Sequence, residues 1–248
     1  ASARKLLRRP NVLLARDVPE LSQFICNVEE EIMDRLDNGQ KGFAEQAQGH
    51  FLSMGLHDIY PYCTSRNVTS SSFLNDMMLP PKYLKNIILN YKTFPIRISS
   101  NKYICSETGK HLTWPEVQDY TKSGKKFVEY KGNSGPVLSD QIELEWEDVA
   151  KEAGMSSIDD FGPDLYTSCT QLKRRCFSWS KIGLDRSIRY NQPGNGGQVY
   201  ISINFANYVD SEMFGRSGGP DQLTPKFQKW LDDNVYPIVD KYDNVHLK

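Results

Sequence analysis

Nowhere in this 248-residue sequence is there a C-x-x-C pair, a secretory leader or an apolar run long enough to span a bilayer. Five cysteines (Cys26, Cys63, Cys105, Cys169 and Cys176) are odd in number and irregular in spacing, which argues against a disulfide framework and for a reducing cytoplasm. No membrane partner is expected either. Charge of one sign is also missing, since Lys+Arg total 30 against 31 for Asp+Glu. A nucleic-acid surface is therefore not expected, although local basic clusters can still hold a phosphate. Histidine is scarce (His50, His57, His111 and His246), and no G-x-x-x-x-G-K-[ST] run exists, so the chain cannot cradle a triphosphate in that way unaided.

What is present suffices for a full core. With 39% hydrophobic residues, the chain is expected to make one domain over 1–248, or one large piece of a domain. Asp17-Val18-Pro19 can open a helix, and Leu21, Phe24, Ile25, Val28, Ile32 and Leu36 recur at helical spacing before Asn38-Gly39. Gly42 to Ala47 reads as a short buried strand, Pro80-Pro81 as the start of a second helix, and Asn86 to Ile98 mainly as strand. Charge, Gly and Ser rise between Ser99 and Ser139, which reads as a surface excursion. Trp146 to Gly154 predicts a short helix, and Gln198 to Phe205 a strand after the turn Gly194-Asn195-Gly196-Gly197. Thr224-Pro225 opens a last helix whose inner face carries Phe227, Trp230, Leu231, Val235 and Ile238. Alternating strands and helices predict an α/β fold, a mostly parallel central sheet flanked by helices.

The most informative stretch is Gly49 to Arg97. Tyr60-Pro61-Tyr62-Cys63-Thr64-Ser65-Arg66-Asn67-Val68-Thr69-Ser70 sets small hydroxyl side chains between proline-punctuated segments, a loop rich in donors of the kind a phosphate and a sugar edge need. Leu79-Pro80-Pro81-Lys82-Tyr83 and Lys92-Thr93-Phe94-Pro95-Ile96-Arg97 follow it. Asn67-Val68-Thr69 also matches a glycosylation sequon, read as chance in a chain without a leader.

The order and spacing of these segments resemble adenylosuccinate synthetase, where a similar loop follows a Glu-x-Ala-Gln-Gly element, here Glu45-Gln46-Ala47-Gln48-Gly49. The resemblance runs from Ala1 to about Asp210 and implies that family's P-loop-related fold, lacking its N-terminal part. It implies that Gln48 meets the purine O6 edge, where a side-chain amide can donate to an oxygen gaining negative charge. Thr64 and Ser65 correspond to hydroxyls that hold the 5′-phosphate. Arg8 in Ala1 to Arg9 corresponds to an arginine that reaches across a two-fold axis to the partner's nucleotide, which implies a homodimer. Ser168-Cys169-Thr170-Gln171-Leu172-Lys173-Arg174-Arg175-Cys176 resembles the loop that clamps L-aspartate, with Thr170, Arg174 and Arg175 matching Thr-Thr-Gly-Arg-x-Arg-Arg-Cys. Guanidinium groups suit a dicarboxylate because they bind carboxylates through paired hydrogen bonds.

Two departures narrow the resemblance. Leu172 replaces an arginine that the family uses near the ribose hydroxyl, which points to a deoxynucleotide. Asn204-Phe205-Ala206-Asn207-Tyr208-Val209-Asp210 stands where ordinary members carry Thr-Lys-Leu-Asp-x-Leu-Asp, whose first Asp reads guanine. An amide at Asn207 offers a donor and an acceptor, as the edge of adenine requires, so ATP is expected as phosphoryl donor. Both departures occur together in the bacteriophage branch that makes 2-aminodeoxyadenylosuccinate for 2-aminoadenine DNA. That branch implies dGMP, L-aspartate and ATP with Mg2+ as reactants, in a host cytoplasm. Conventional synthesis from IMP, aspartate and GTP stays open, as do a nucleotide-binding relative without turnover and an inert interaction domain. The family's Gly-Asp-Glu-Gly-Lys-Gly loop and Gly-His-Thr element are absent from these 248 residues. No general base or metal ligand is therefore assigned in this chain, and the simplest expectation is a chain without the family's N-terminal third. Among the histidines, only His50, next to Gln48-Gly49, merits a test.

Overall fold

The two segments with the clearest strand patterning form the centre of the computed structural model, which describes residues 13–98, 102–130, 134–167, 171–194, 196–216 and 219–248. Strands Asn86–Lys92 and Gln198–Asn204 pair in parallel, from Asn86 opposite Gln198 to Lys92 opposite Asn204. Val245–Leu247 joins the far edge of Gln198–Asn204, again in parallel. Alternation sends Ile87, Val199, Ile201 and Val245 into one core, while Ile88 stays exposed. Leu184 and Ile188 of helix Lys181–Tyr190 close over that face, with Phe227 and Leu231 of helix Pro225–Asn234 and Ile238 and Val239 of Tyr236–Val239.

The last long helix starts as its sequence predicts. Pro225 occupies the first turn, and the Thr224 hydroxyl accepts from the Phe227 N–H at 3.2 Å. That hydroxyl also donates to Asp210 Oδ2 at 2.6 Å, both residues being buried.

A second, antiparallel sheet places Arg175–Phe177 between Ile96–Arg97 and Glu143–Leu144. Helix Trp146–Ala153 packs on it, and Trp146, Val149, Phe161, Leu165, Cys176 and Tyr208 share a core. Phe94 touches both cores and joins the two layers. The excursion expected at 99–139 has a core of its own: antiparallel strands Lys102–Cys105, His111–Leu112 and Phe127–Tyr130 carry helix Trp114–Ser123, and Tyr103, Cys105, Leu112 and Val117 meet between them.

The α/β class and its parallel sheet stand as expected, and strands outside that sheet pair antiparallel. Three local expectations need correction. The helix predicted from Asp17 splits into Pro19–Ser22 and Val28–Asp37: Leu21, Phe24, Ile25 and Val28 stay exposed among the described residues, and packing supplies most helix stability. Gly42 to Ala47 is irregular and, Gln46 apart, exposed, with no strand among the described residues pairing with it. Pro80-Pro81 starts only the single turn Pro81–Tyr83, because the chain enters the central strand three residues later. The helix in that region is instead Ser70–Asp76, capped by the Thr69 hydroxyl, which accepts from the Ser72 N–H at 3.2 Å. Among the described residues, no helix is long and apolar enough to cross a membrane.

Candidate functional site

The hydroxyl loop is folded back on itself by its own polar groups. Thr64 N–H donates to Leu52 O at 2.7 Å, Met54 N–H to Arg66 O at 3.0 Å, and Val68 N–H to the Ser53 hydroxyl at 2.8 Å. Gly55 N–H donates to Asn67 Oδ1 at 2.7 Å, and a Cβ at Gly55 would meet that oxygen at 2.9 Å. Two contacts fasten the loop to helix Lys181–Tyr190 and its C-cap. Arg186 grips Asp58 with bonds of 2.5 and 2.9 Å, and Asn191 Oδ1 accepts from Ser70 N–H at 2.8 Å. The Arg186 hydrogen bonds hold the Asp58 carboxyl below its ordinary range.

Within this frame, some side chains are committed and some are not. Ser53 and Asn67 are spent on the loop itself, Arg66 on Asp76 at 2.8 Å and Asp58 on Arg186. Among the described residues, the Gln48 amide, the Thr64 and Ser65 hydroxyls and the Asn207 amide have no hydrogen-bond partner. His50 is different: its Nδ1 lies 3.3 Å from Val68 O, while Nε2 is buried without a partner beside the Phe51 and Tyr190 rings. Burial pushes its pKa below 6.5, so the imidazole is neutral.

Asn207 follows the carboxyl end of a central strand, the end where open α/β sheets place ligands. Thr93, fully buried, pins this corner: its N–H donates to Asn204 O at 3.1 Å and its hydroxyl to Phe205 O at 2.6 Å. Lys92 Nζ sits 4.1 Å over the Phe205 ring.

The predicted clamp segment is braced by Thr167. Gln171 N–H donates to Thr167 O at 2.9 Å, and Leu172 N–H to the Thr167 hydroxyl at 2.9 Å. Arg174 Nε is buried without a partner. Arg175 is paired with Glu143 through two bonds of 2.7 Å, and its Nη1 donates to the Ser134 hydroxyl at 2.7 Å. Arg8 and Thr170 lie outside the described residues.

Two observations single out these segments. Among the described residues, four non-glycine residues have positive φ, and three of them, Gln48 (74°), Gln171 (51°) and Phe205 (63°), stand in the three segments just described. Such backbone costs on the order of 1–3 kcal/mol per residue and collects at ligand sites. Among the described residues, the buried side-chain polar atoms without partners, Gln46 Nε2, His50 Nε2, Ser70 Oγ and Arg174 Nε, all belong to the hydroxyl loop or the clamp segment or border them. Among the described residues, no group of three or more His, Cys, Asp or Glu side chains could hold a metal ion. Sequence reasoning passed over Arg97 and Ser134, which the fold places between the hydroxyl loop and the clamp. Arg97 had a signal, since it closes the Lys92 to Arg97 segment already singled out.

Comparison with known proteins agrees with this architecture. Residues 13–129 match the adenylosuccinate synthetase family. Over those residues the chain is similar to that family. It is 31% identical to the N6-succino-2-amino-2'-deoxyadenylate synthase of Vibrio phage phiVC8 over 84% of this chain and 48% of that protein. With the adenylosuccinate synthetase of Methanocaldococcus jannaschii it shares 37% identity over 36% of this chain and 26% of that protein. Its fold superposes on the succinoaminodeoxyadenylate synthetase of cyanophage S-2L, solved bound to dGMP and dATP as an energy donor. That match has a TM-score of 0.57 and 25% identity over 98% of this chain and 53% of that one. The chain thus spans about half the length of the phage relatives it matches.

Proposed function

We propose that this chain carries the acceptor-nucleotide and aspartate sites of a carbon–nitrogen ligase that joins L-aspartate to C6 of dGMP, with ATP as phosphoryl donor. The observation that carries the reading is that Gln48, Thr64, Ser65 and Asn207 keep their polar side chains unspent in strained, otherwise well-braced segments. Likeness to phage synthases over most of the chain, including one solved with dGMP and dATP, favours the deoxynucleotide branch.

In this reading the Thr64 and Ser65 hydroxyls donate to the 5′-phosphate, and the Arg186–Asp58 pair keeps their loop in place. The Gln48 amide donates to O6 as dGMP loses its N1 proton to a base outside this chain's assigned residues and that oxygen takes the γ-phosphoryl group of ATP, leaving ADP. Arg174, with Thr170, holds the carboxylates of aspartate, while Arg175 supports the clamp from its pairing with Glu143. The α-amino group of aspartate then attacks C6, the C6–O6 bond breaks with phosphate as leaving group, and the nitrogen loses a proton. Asn207 reads the adenine of the donor through its paired donor and acceptor. The reading also includes Mg2+ with the ATP, a homodimer in which Arg8 reaches the partner's nucleotide, and the host cytoplasm as location. Among the described residues, no group of three or more His, Cys, Asp or Glu side chains fits a metal.

The test is product formation by mass spectrometry with aspartate, offering dGMP plus ATP in one reaction and IMP plus GTP in another. A succinylated product in the first alone supports the proposal. Product in the second alone returns the chain to conventional adenylosuccinate synthesis, and none in either favours a fragment or a nucleotide-binding relative without turnover.

A further inference from the structure

Arg97 ends the short strand Ile96–Arg97 and stands directly opposite Arg175 in the antiparallel register. The two guanidinium groups share the Phe177 ring, 5.7 and 4.9 Å from its centre. Their charges are handled differently. Glu143 neutralises Arg175 through two bonds, whereas no carboxylate among the described residues pairs with Arg97. Its acceptors are backbone carbonyls: Arg97 Nη1 donates to Pro136 O at 2.7 Å and to Ser134 O at 3.4 Å. Burial and the neighbouring Arg175 hold the Arg97 guanidinium below its ordinary pKa.

Those two carbonyls flank Gly135, a buried residue with φ 110°. A Cβ at Gly135 would lie 2.7 Å from Arg97 Nη1 and 2.9 Å from Tyr62 Cβ, so the turn is wedged between the arginine and the hydroxyl loop. Tyr62 is two residues from Thr64. On its other side the same turn presents the Ser134 hydroxyl to Arg175 Nη1 at 2.7 Å, one residue from Arg174. One turn therefore touches both candidate substrate loops, and Arg97 holds it.

We propose that Arg97 is a positioning residue that couples the hydroxyl loop to the aspartate clamp by fixing the 134–136 turn between them. The proposal rests on the reading of those loops as nucleotide and aspartate sites. The geometry favours arginine in particular: a planar fork can donate to two carbonyls while its carbon rests 5.7 Å from the ring centre, which a compact lysine ammonium does less well. Coupling through such a turn is reciprocal, so each ligand strengthens the other by the same factor.

The test is calorimetric titration of the full chain with dGMP in the absence and presence of saturating aspartate, repeated with Arg97→Ala, Arg97→Lys and Gly135→Ala. Wild type is expected to bind dGMP about fivefold or more tightly with aspartate present, the lower range for coupled sites. In the folded variants that factor should fall towards one, while affinity for either ligand alone changes by less than about threefold, within the smallest coupling effects. Arg97→Lys serves where Arg97→Ala fails to fold, since it keeps the charge and most of the bulk. A folded Arg97→Lys that retains wild-type coupling, or a wild type that binds both ligands independently, overturns the inference alone. A wild type that binds neither ligand overturns the reading of the loops and the inference with it.

Discussion

Trp146 Nε1 donates to the carbonyl oxygen of Arg174 at 2.7 Å. Arg174 N–H in turn donates to Leu165 O at 2.7 Å, so the backbone of this residue is fixed from both sides by a buried core. The guanidinium is left out of that arrangement, with Nε buried and unpaired. A rigid backbone with an unspent charged head is what recognition of a small dianion calls for, because little order remains to be acquired on binding.

Arg174→Ala should therefore weaken aspartate far more than nucleotide. Loss of a charge-assisted contact is worth about 1.5–3 kcal/mol, or roughly tenfold to a hundredfold in the aspartate requirement. The nucleotide requirement should move by less than about twofold, as expected of a site beyond direct contact. Steady-state kinetics with each substrate varied in turn decides it, and equal effects on both would count against the clamp.

Much of this arrangement was legible in the sequence, for identifiable reasons. The central strands announced themselves because Ile87, Leu89, Val199 and Ile201 alternate, and the last helix because Thr224-Pro225 is a local capping signal. Gln48, Thr64, Ser65, Arg174 and Asn207 were proposed from motif order. What stayed hidden depends on contacts distant in sequence. Nothing local in Arg97 reveals that Pro136 and Arg175 will surround it, and nothing in Leu21 to Val28 reveals that its apolar stripe stays exposed among the described residues. The excursion hid its core because Tyr103, Cys105, Leu112 and Val117 are diluted among charged residues.

Donor choice gives a second prediction. Asn207 is half-buried beyond a central strand, on a turn that follows the left-handed Phe205. An amide there can donate and accept, but a carboxylate only accepts, as guanine's paired N–H groups require. Asn207→Asp should shift preference from ATP towards GTP in competition assays, and an unchanged ratio would sink the assignment of this position.

The Thr224–Asp210 contact predicts a stability effect separate from binding. Thr224→Ala removes a helix cap and leaves a buried carboxylate without its 2.6 Å donor, together worth about 1–3 kcal/mol. Thr224→Ser keeps the hydroxyl and should recover most of that loss. Urea denaturation of the two variants provides the comparison, and similar midpoints for both would show that the hydroxyl contributes little.

His50 supplies the pH dependence. Its folded-state pKa lies below 6.5, chiefly through burial and also through the nearby Arg186 charge, which outweigh the opposing bond to Val68 O. The unfolded chain therefore takes up the proton first as pH falls. Stability from this residue is complete above about 6.5 and drains away as pH drops towards the lower folded value, at no more than about 1.4 kcal/mol per pH unit. Asn at this position offers a side-chain N–H where Nδ1 donates to Val68 O, but it does not titrate in this range. His50→Asn should thus lose less melting temperature between pH 7.5 and 5.5 than wild type does. Equal losses in the two proteins would mean that His50 titrates alike in the folded and unfolded chain, and that the hydroxyl loop is braced without regard to its charge.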